Sequence, residues 1–132
     1  MNFLKRIFLL GAATALGLSS AQADHHLSVH YKGKAGPGKG KHVVLVSGDE
    51  EYRSEECLPM LGRILSDHHG FDCTVLFSVN DKGEIDPNNQ KSVTNSKAMA
   101  SADLIIIALR FRNWPDEDMK HFADAYHRGV PI

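Results

Sequence analysis

Apolar residues are gathered into short runs set between polar, glycine-containing stretches. His42-Val43-Val44-Leu45-Val46 ends at Ser47-Gly48, Cys73-Thr74-Val75-Leu76-Phe77 forms a second run, and Leu104-Ile105-Ile106-Ile107-Ala108-Leu109 is the third and most apolar. None alternates with polar residues, which predicts strands buried on both faces, with the third at the centre of a parallel sheet. Between the first two, Leu58, Leu61, Ile64 and Leu65 recur on one helical stripe. Ser54 or Glu55 is placed to cap that helix, Glu55 and Glu56 suit its positive end, and Gly70 is placed to stop it. Pro59 has to lie in or near the first turn, where its missing amide does least harm. Positions 80–89 are rich in turn formers, with at most a short helix around 96–100 before the third strand. Pro115 then opens a last helix with Asp116, Glu117 and Asp118 in its first turn. Met119, Phe122, Ala123 and Tyr126 form its apolar face, Gly129 ends it, and positions 130–132 read as the start of a fourth strand.

Alternating strand and helix predicts an α/β fold: a three-layer parallel sheet with right-handed crossovers. With only three full strands such a sheet keeps an uncovered edge, so the chain reads as the N-terminal part of a longer domain, incomplete at its C-terminus. Neither an internal repeat nor a second domain is visible.

The N-terminus carries a different signature. Lys5 and Arg6 precede an apolar stretch and then Ala21-Gln22-Ala23, which is the layout of a secretory signal peptide over 1–23 with cleavage after Ala23. The apolar stretch is about a dozen residues, where a membrane span needs roughly 20. The expected location is therefore periplasmic or extracellular, with no membrane association after cleavage. Positions 24–40, rich in Gly, Lys and His, read as a flexible leader. Gly33-Lys34-Ala35-Gly36-Pro37-Gly38-Lys39-Gly40 resembles a phosphate-binding loop, but Gly40 stands where a Ser or Thr would hold magnesium, and the segment precedes a strand. Asp24-His25-His26 at a free amino terminus has the spacing of a copper or nickel chelator, with a solvated terminus as the plainer reading. The two cysteines fall at opposite levels of the first helix, farther apart than the about 7 Å a disulfide tolerates, and read as separate packing residues.

The full sequence carries 15 Lys and Arg against 16 Asp and Glu. No basic excess is available to neutralise a phosphate backbone or a membrane surface, which argues against nucleic-acid partners. In an open parallel sheet ligands bind beyond the carboxyl ends of the strands, where strand order reverses. If the first and third strands are neighbours, the loops after them face each other. The first supplies Asp49, Glu50, Glu51, Tyr52 and Arg53, and the second Arg110, Arg112 and Trp114. Carboxylates accept from sugar hydroxyls, arginines donate in a fork, and an aromatic face covers a sugar ring. Glu50 and Glu51 are the candidates for acid or base work, and the other six residues for substrate contact. The competing reading pairs Glu50 or Glu51 with Arg110 or Arg112 to tie the loops and packs Trp114 on the helix. Asp49, Glu50 and Glu51 as a metal cluster lack a histidine at ligand spacing. Neither a metal nor another cofactor is called for. His68 and His69 suit a helix end, and His121 and His127 read as solvated.

Lys41-His42-Val43-Val44-Leu45-Val46-Ser47-Gly48-Asp49-Glu50-Glu51-Tyr52-Arg53-Ser54-Glu55-Glu56, with Leu58-Pro59-Met60-Leu61, His69-Gly70-Phe71, Ala102-Asp103-Leu104, Arg110-Phe111-Arg112 and Gly129-Val130-Pro131-Ile132, resembles the secreted branch of the trehalose-utilisation (ThuA-like) domains. The resemblance covers roughly Gly36 to the end, with the N-terminal part of the domain set at 41–132, and 48–56 is its most specific part. It implies a flavodoxin-like sheet of the class I glutamine amidotransferase-like superfamily and a link to the uptake or breakdown of trehalose or a related disaccharide. It does not carry over amidotransferase activity, because no cysteine here sits on a tight strand-to-helix turn. A carbohydrate-processing enzyme and a non-catalytic sugar-binding or protein-interaction domain both fit these residues.

Overall fold

The computed structural model describes residues 27–132. The expected signal peptide and the Asp24-His25-His26 motif lie outside the described residues. Along the chain come β1 (Val29–Tyr31), β2 (His42–Gly48), α1 (Ser54–His69), β3 (Asp72–Leu76), a 3₁₀ helix (Ser96–Ser101), β4 (Leu104–Leu109) and α2 (Asp116–His127). The fold is α/β, with one mostly parallel sheet in the order β1-β3-β2-β4. β2 runs parallel to both neighbours, so Val44 lies between Thr74 and Ile105, and Gly48 is opposite Leu109.

Alternate residues of β2 enter two different cores. Val44 and Val46 join Leu76, Met99, Ile105, Trp114 and Ala125 beneath α2 and the 3₁₀ helix. Val43 and Leu45 join Leu58, Cys73, Val75 and Phe77 beneath α1. A strand buried on both faces has no polar position to alternate with, and Val43 through Val46 are at most 1% exposed. Among the described residues, no helix is long and apolar enough to cross a membrane.

Several expectations need correcting. Residues 27–40 are not a free leader: β1 pairs antiparallel with β3, and Tyr31 packs into the α1-side core. The glycine-rich stretch after β1 closes the end of α1. Lys34 N–H donates to the Ser66 carbonyl (3.0 Å) and Gly38 N–H to that of His69 (2.8 Å), satisfying carbonyls a helix end leaves open. A Cβ on Gly36 would sit 2.4 Å from the His69 carbonyl, so only glycine permits this approach. Amides that a phosphate-binding loop would point at its ligand are used here on the helix.

Among the described residues the run expected at the sheet centre is the last strand of the sheet. β4 is last in the strand order, and Ile107 is 44% exposed. Ile105 N–H donates to the Pro131 carbonyl (3.0 Å), so 130–132 starts to line the outer side of β4 without forming a strand. In α1, Pro59 falls inside the helix, beyond its first turn, Ile64 leaves the predicted stripe for solvent, and Cys57 is exposed instead of packed. Cys73 is buried, both thiols are free, and burial pushes the Cys73 thiol up. The buried stripe of α2 is rotated from the predicted one. Ala125 is fully buried and Phe122 packs beside it, whereas Met119 and Tyr126 are exposed. A polar contact sets that rotation: Ser96 Oγ donates to Asp118 Oδ1 (2.6 Å), and the small Ala125 lets the helix approach.

Candidate functional site

The chain passes from β2 to β3 on one side and then back past β2 to β4 on the other, so strand order reverses between β2 and β4. Gly48 ends β2 opposite Leu109, the end of β4, which sets the two loops beyond them side by side. Gly48 leaves room for the groups around it, since a Cβ there would lie 3.0 Å from Leu109 Cδ2 and 3.2 Å from Arg112 Nη1 and Ser78 Oγ and would make those side chains give way.

The first loop is shaped by two buried side chains. Ser54 Oγ accepts from the backbone amides of Gly48 (3.1 Å) and Asp49 (2.8 Å) and lies 2.9 Å from Ser47 Oγ. Ser54 is thus the first residue of α1 but not its cap, and the cap position falls to Arg53 in a left-handed conformation (φ 51°) with no side-chain hydrogen bond. Asp49 Oδ1 accepts from the amides of Glu51 (2.8 Å) and Tyr52 (3.0 Å), a local turn that leaves the residue 9% exposed. Of the six residues assigned to substrate contact, Asp49 is therefore spent on its own loop. Arg53 is also drawn away, pairing with Glu56 at the start of α1.

Glu50 and Glu51 do cross to the second loop. Glu51 pairs with Arg110, and Glu50 Oε2 lies 3.3 Å from Arg112 Nη2. Arg110 keeps 37% of its side chain exposed and lies 5.1 Å from the ring centroid of Phe111. Phe111 adopts φ 51° and is 68% exposed, and Tyr52 is 74% exposed. A planar cation, two carboxylates and two uncovered rings therefore share one rim.

Arg112 has a different role. Its side chain is 5% exposed, and Nη1 donates to Ser78 Oγ (3.2 Å) and to the carbonyls of Pro87 (3.1 Å) and Asn89 (3.1 Å). Nε donates to the Arg110 carbonyl (2.5 Å). The guanidinium binds the turn-rich 78–89 segment to both loops, and burial pulls its pKa down while Glu50 and then Asp49 act the other way. Trp114 does not join the rim: it is 6% exposed and meets Phe122 edge-on at 6.5 Å. The tying and packing reading thus describes both cross-loop pairs, Glu50 with Arg112 and Glu51 with Arg110, and Trp114, while Glu51, Tyr52 and Arg110 stay accessible.

Sequence reasoning passed over Ser54 as an organiser of this loop, Phe111 as a rim aromatic, and Ser78, Pro87 and Asn89 as acceptors. Phe111 had a signal, lying between two chosen arginines. The carbonyls had none, since any residue supplies one. Among the described residues no group of three or more His, Cys, Asp or Glu side chains is gathered as a metal would require.

A cavity of about 290 Å³ lies elsewhere, at the opposite end of the strands, lined by His42, Thr74, Asn95, Lys97, Ala98 and Ser101. Compared with known proteins, the chain matches no family model, no curated protein and no solved structure.

Proposed function

We propose that the chain is a secreted, flavodoxin-like three-layer domain of the trehalose-utilisation type that binds a small carbohydrate across the carboxyl ends of β2 and β4. The observation that carries this reading is the rim itself, where Glu51 and Arg110 pair across two loops that also carry the exposed rings of Tyr52 and Phe111. Carboxylate acceptors, a forked cation and aromatic faces are what a hydroxylated ring requires. The family resemblance adds trehalose or a related disaccharide as the ligand class, and the signal-like N-terminus adds export.

Binding is favoured over turnover by what surrounds the two glutamates. A carboxyl that delivers a proton is tuned by burial or by a like charge beside it. Glu50 and Glu51 are exposed, and each faces an arginine. The arrangement supplies acceptors and donors in fixed positions, with no second carboxyl poised to exchange a proton with substrate.

Calorimetric titration of the full chain with trehalose and with an oxidised disaccharide tests the proposal. Saturable binding that falls at least about tenfold, roughly 1.4 kcal/mol, in Arg110→Met and Glu51→Gln is expected. No saturable binding, or binding indifferent to both substitutions, overturns it. A pH-dependent turnover abolished by Glu51→Gln would replace binding with catalysis at the same rim.

A further inference from the structure

We propose that the cavity at the amino-terminal ends of β2 and β3 is an oxyanion site for phosphate or a phosphate monoester, held by Lys97 and Asn95, with the His42 imidazole bracing its wall. It is separated from the sugar rim by the length of the strands and does not depend on that reading.

The lining contains one cation, one imidazole, an amide and two hydroxyls, and no carboxylate. Lys97 makes no ion pair among the described residues. The carboxylates that flank the site along the chain are already engaged. Asp72 holds Lys32 (3.0 Å) and the Gly33 amide (2.9 Å), and Asp103 holds Lys41 (2.9 Å) and the His42 amide (2.8 Å). Their charge is met from outside the cavity, which leaves the Lys97 ammonium as the charge that faces it.

The polar groups are held in place. His42 is fixed at both ring nitrogens, Nδ1 3.0 Å from Ser101 Oγ and Nε2 2.9 Å from Thr74 Oγ1. Ser101 Oγ donates to the Ala98 carbonyl (3.2 Å), so it accepts from Nδ1–H, and Nε2 then accepts from the Thr74 hydroxyl. Asn95 sits at φ 46° just before the 3₁₀ helix, with one amide hydrogen engaged by Ser28 Oγ (3.2 Å) and the other without a partner among the described residues. A compact ammonium with rotatable donors beside a positioned amide is chemistry that recognises phosphate, and the doubly bonded imidazole keeps the wall rigid. About 290 Å³ accommodates that group with a small organic substituent.

The test titrates the full chain with inorganic phosphate and with glycerol 3-phosphate in a buffer free of both and of sulfate, following backbone and His42 resonances by NMR. One saturable site that perturbs His42 and Thr74 is expected. Lys97→Met should weaken it at least about tenfold, while Lys82→Met, which removes an equal charge from an exposed loop, leaves it unchanged. Lys97 is exposed, so its variant should keep the parent melting temperature, and Asn95→Gly, which suits the left-handed backbone there, gives an independent second loss. Equal affinity for the two probes assigns the site to free phosphate, and tighter binding of the ester assigns it to a monoester. Absence of saturation, or the same weakening in Lys82→Met as in Lys97→Met, overturns the proposal.

Discussion

Arg112 offers the most direct test of how the loops beyond β2 and β4 are held. Its Nη1 has two protons but three oxygens within reach, on Ser78, Pro87 and Asn89, so it makes about two full hydrogen bonds. Nε adds a third, to Arg110. At about 1 kcal/mol net for each bond, Arg112→Met, which keeps most of the stem volume, should cost about 3 kcal/mol. The Glu50 contact adds little, because that carboxylate is 27% exposed and water can replace the guanidinium. Glu50→Gln should therefore cost less than about 1 kcal/mol. Arg112→Lys, a point charge without the fork, should fall between at about 2 kcal/mol.

Urea unfolding followed by tryptophan fluorescence reads all three variants, since Trp114 is the sole tryptophan and lies in the core beside Phe122. The midpoint should move while the slope stays constant, as expected when the native contacts change and the unfolded chain does not. A loss within about 0.5 kcal/mol for Arg112→Met would refute the clamp, because that is the range of surface substitutions. A Glu50→Gln loss equal to that of Arg112→Met would show that the ion pair, and not the three carbonyl and hydroxyl contacts, carries the energy.

The remaining predictions address other joints of the fold. Trp114→Ala should cost about 3–5 kcal/mol in urea unfolding followed by circular dichroism, and sugar affinity measured well below the midpoint should change little, because the ring packs on Phe122 away from the rim. Gly36→Ala should cost about 1–3 kcal/mol, since its Cβ falls 2.4 Å from the His69 carbonyl; faster amide exchange in the last turn of α1 would accompany the loss. Asp72 and Asp103 are held below the usual carboxylate range, first by the Gly33 and His42 amides and then by Lys32 and Lys41. The unfolded chain therefore takes up their protons first, so their stabilisation is complete above about pH 4 and fades as pH falls through their lower native values. Melting temperature should drop in that acid range, and Asp72→Asn with Asp103→Asn should flatten the drop.

What was legible in the chain followed from local pattern. The β2 run named its own strand because burial on both faces leaves no room for a polar residue, and Gly70 marked the end of α1 by its left-handed geometry (φ 79°). The position of β4 was not legible, because an apolar strand reads the same at a centre or an edge, and what lies on its far side is a tertiary fact. The rotation of α2 was missed for a related reason. Tyr126 and Met119 score as apolar, yet it is Ala125 that is fully buried, where its small side chain lets the helix approach the 3₁₀ helix. β1 was hidden by its length, since three residues among glycines and lysines show no period.

The candidate rim was legible as a set of residues but not as a division of labour among them. Two arginines, two residues apart on one loop, alternate in direction: Arg112 turns inward to carbonyls that no sequence pattern announces, and Arg110 turns outward to Glu51 and Phe111. That alternation gives the site its physical logic. The inward arginine fixes the loop, and the fixed loop holds the outward one at the rim, so a ligand there would not have to order the backbone as it binds. If so, Arg112→Met should weaken sugar binding through the lost order of the 110–114 loop, whereas Arg110→Met should weaken it with stability intact. A comparison of stability and affinity in the two variants separates positioning from contact.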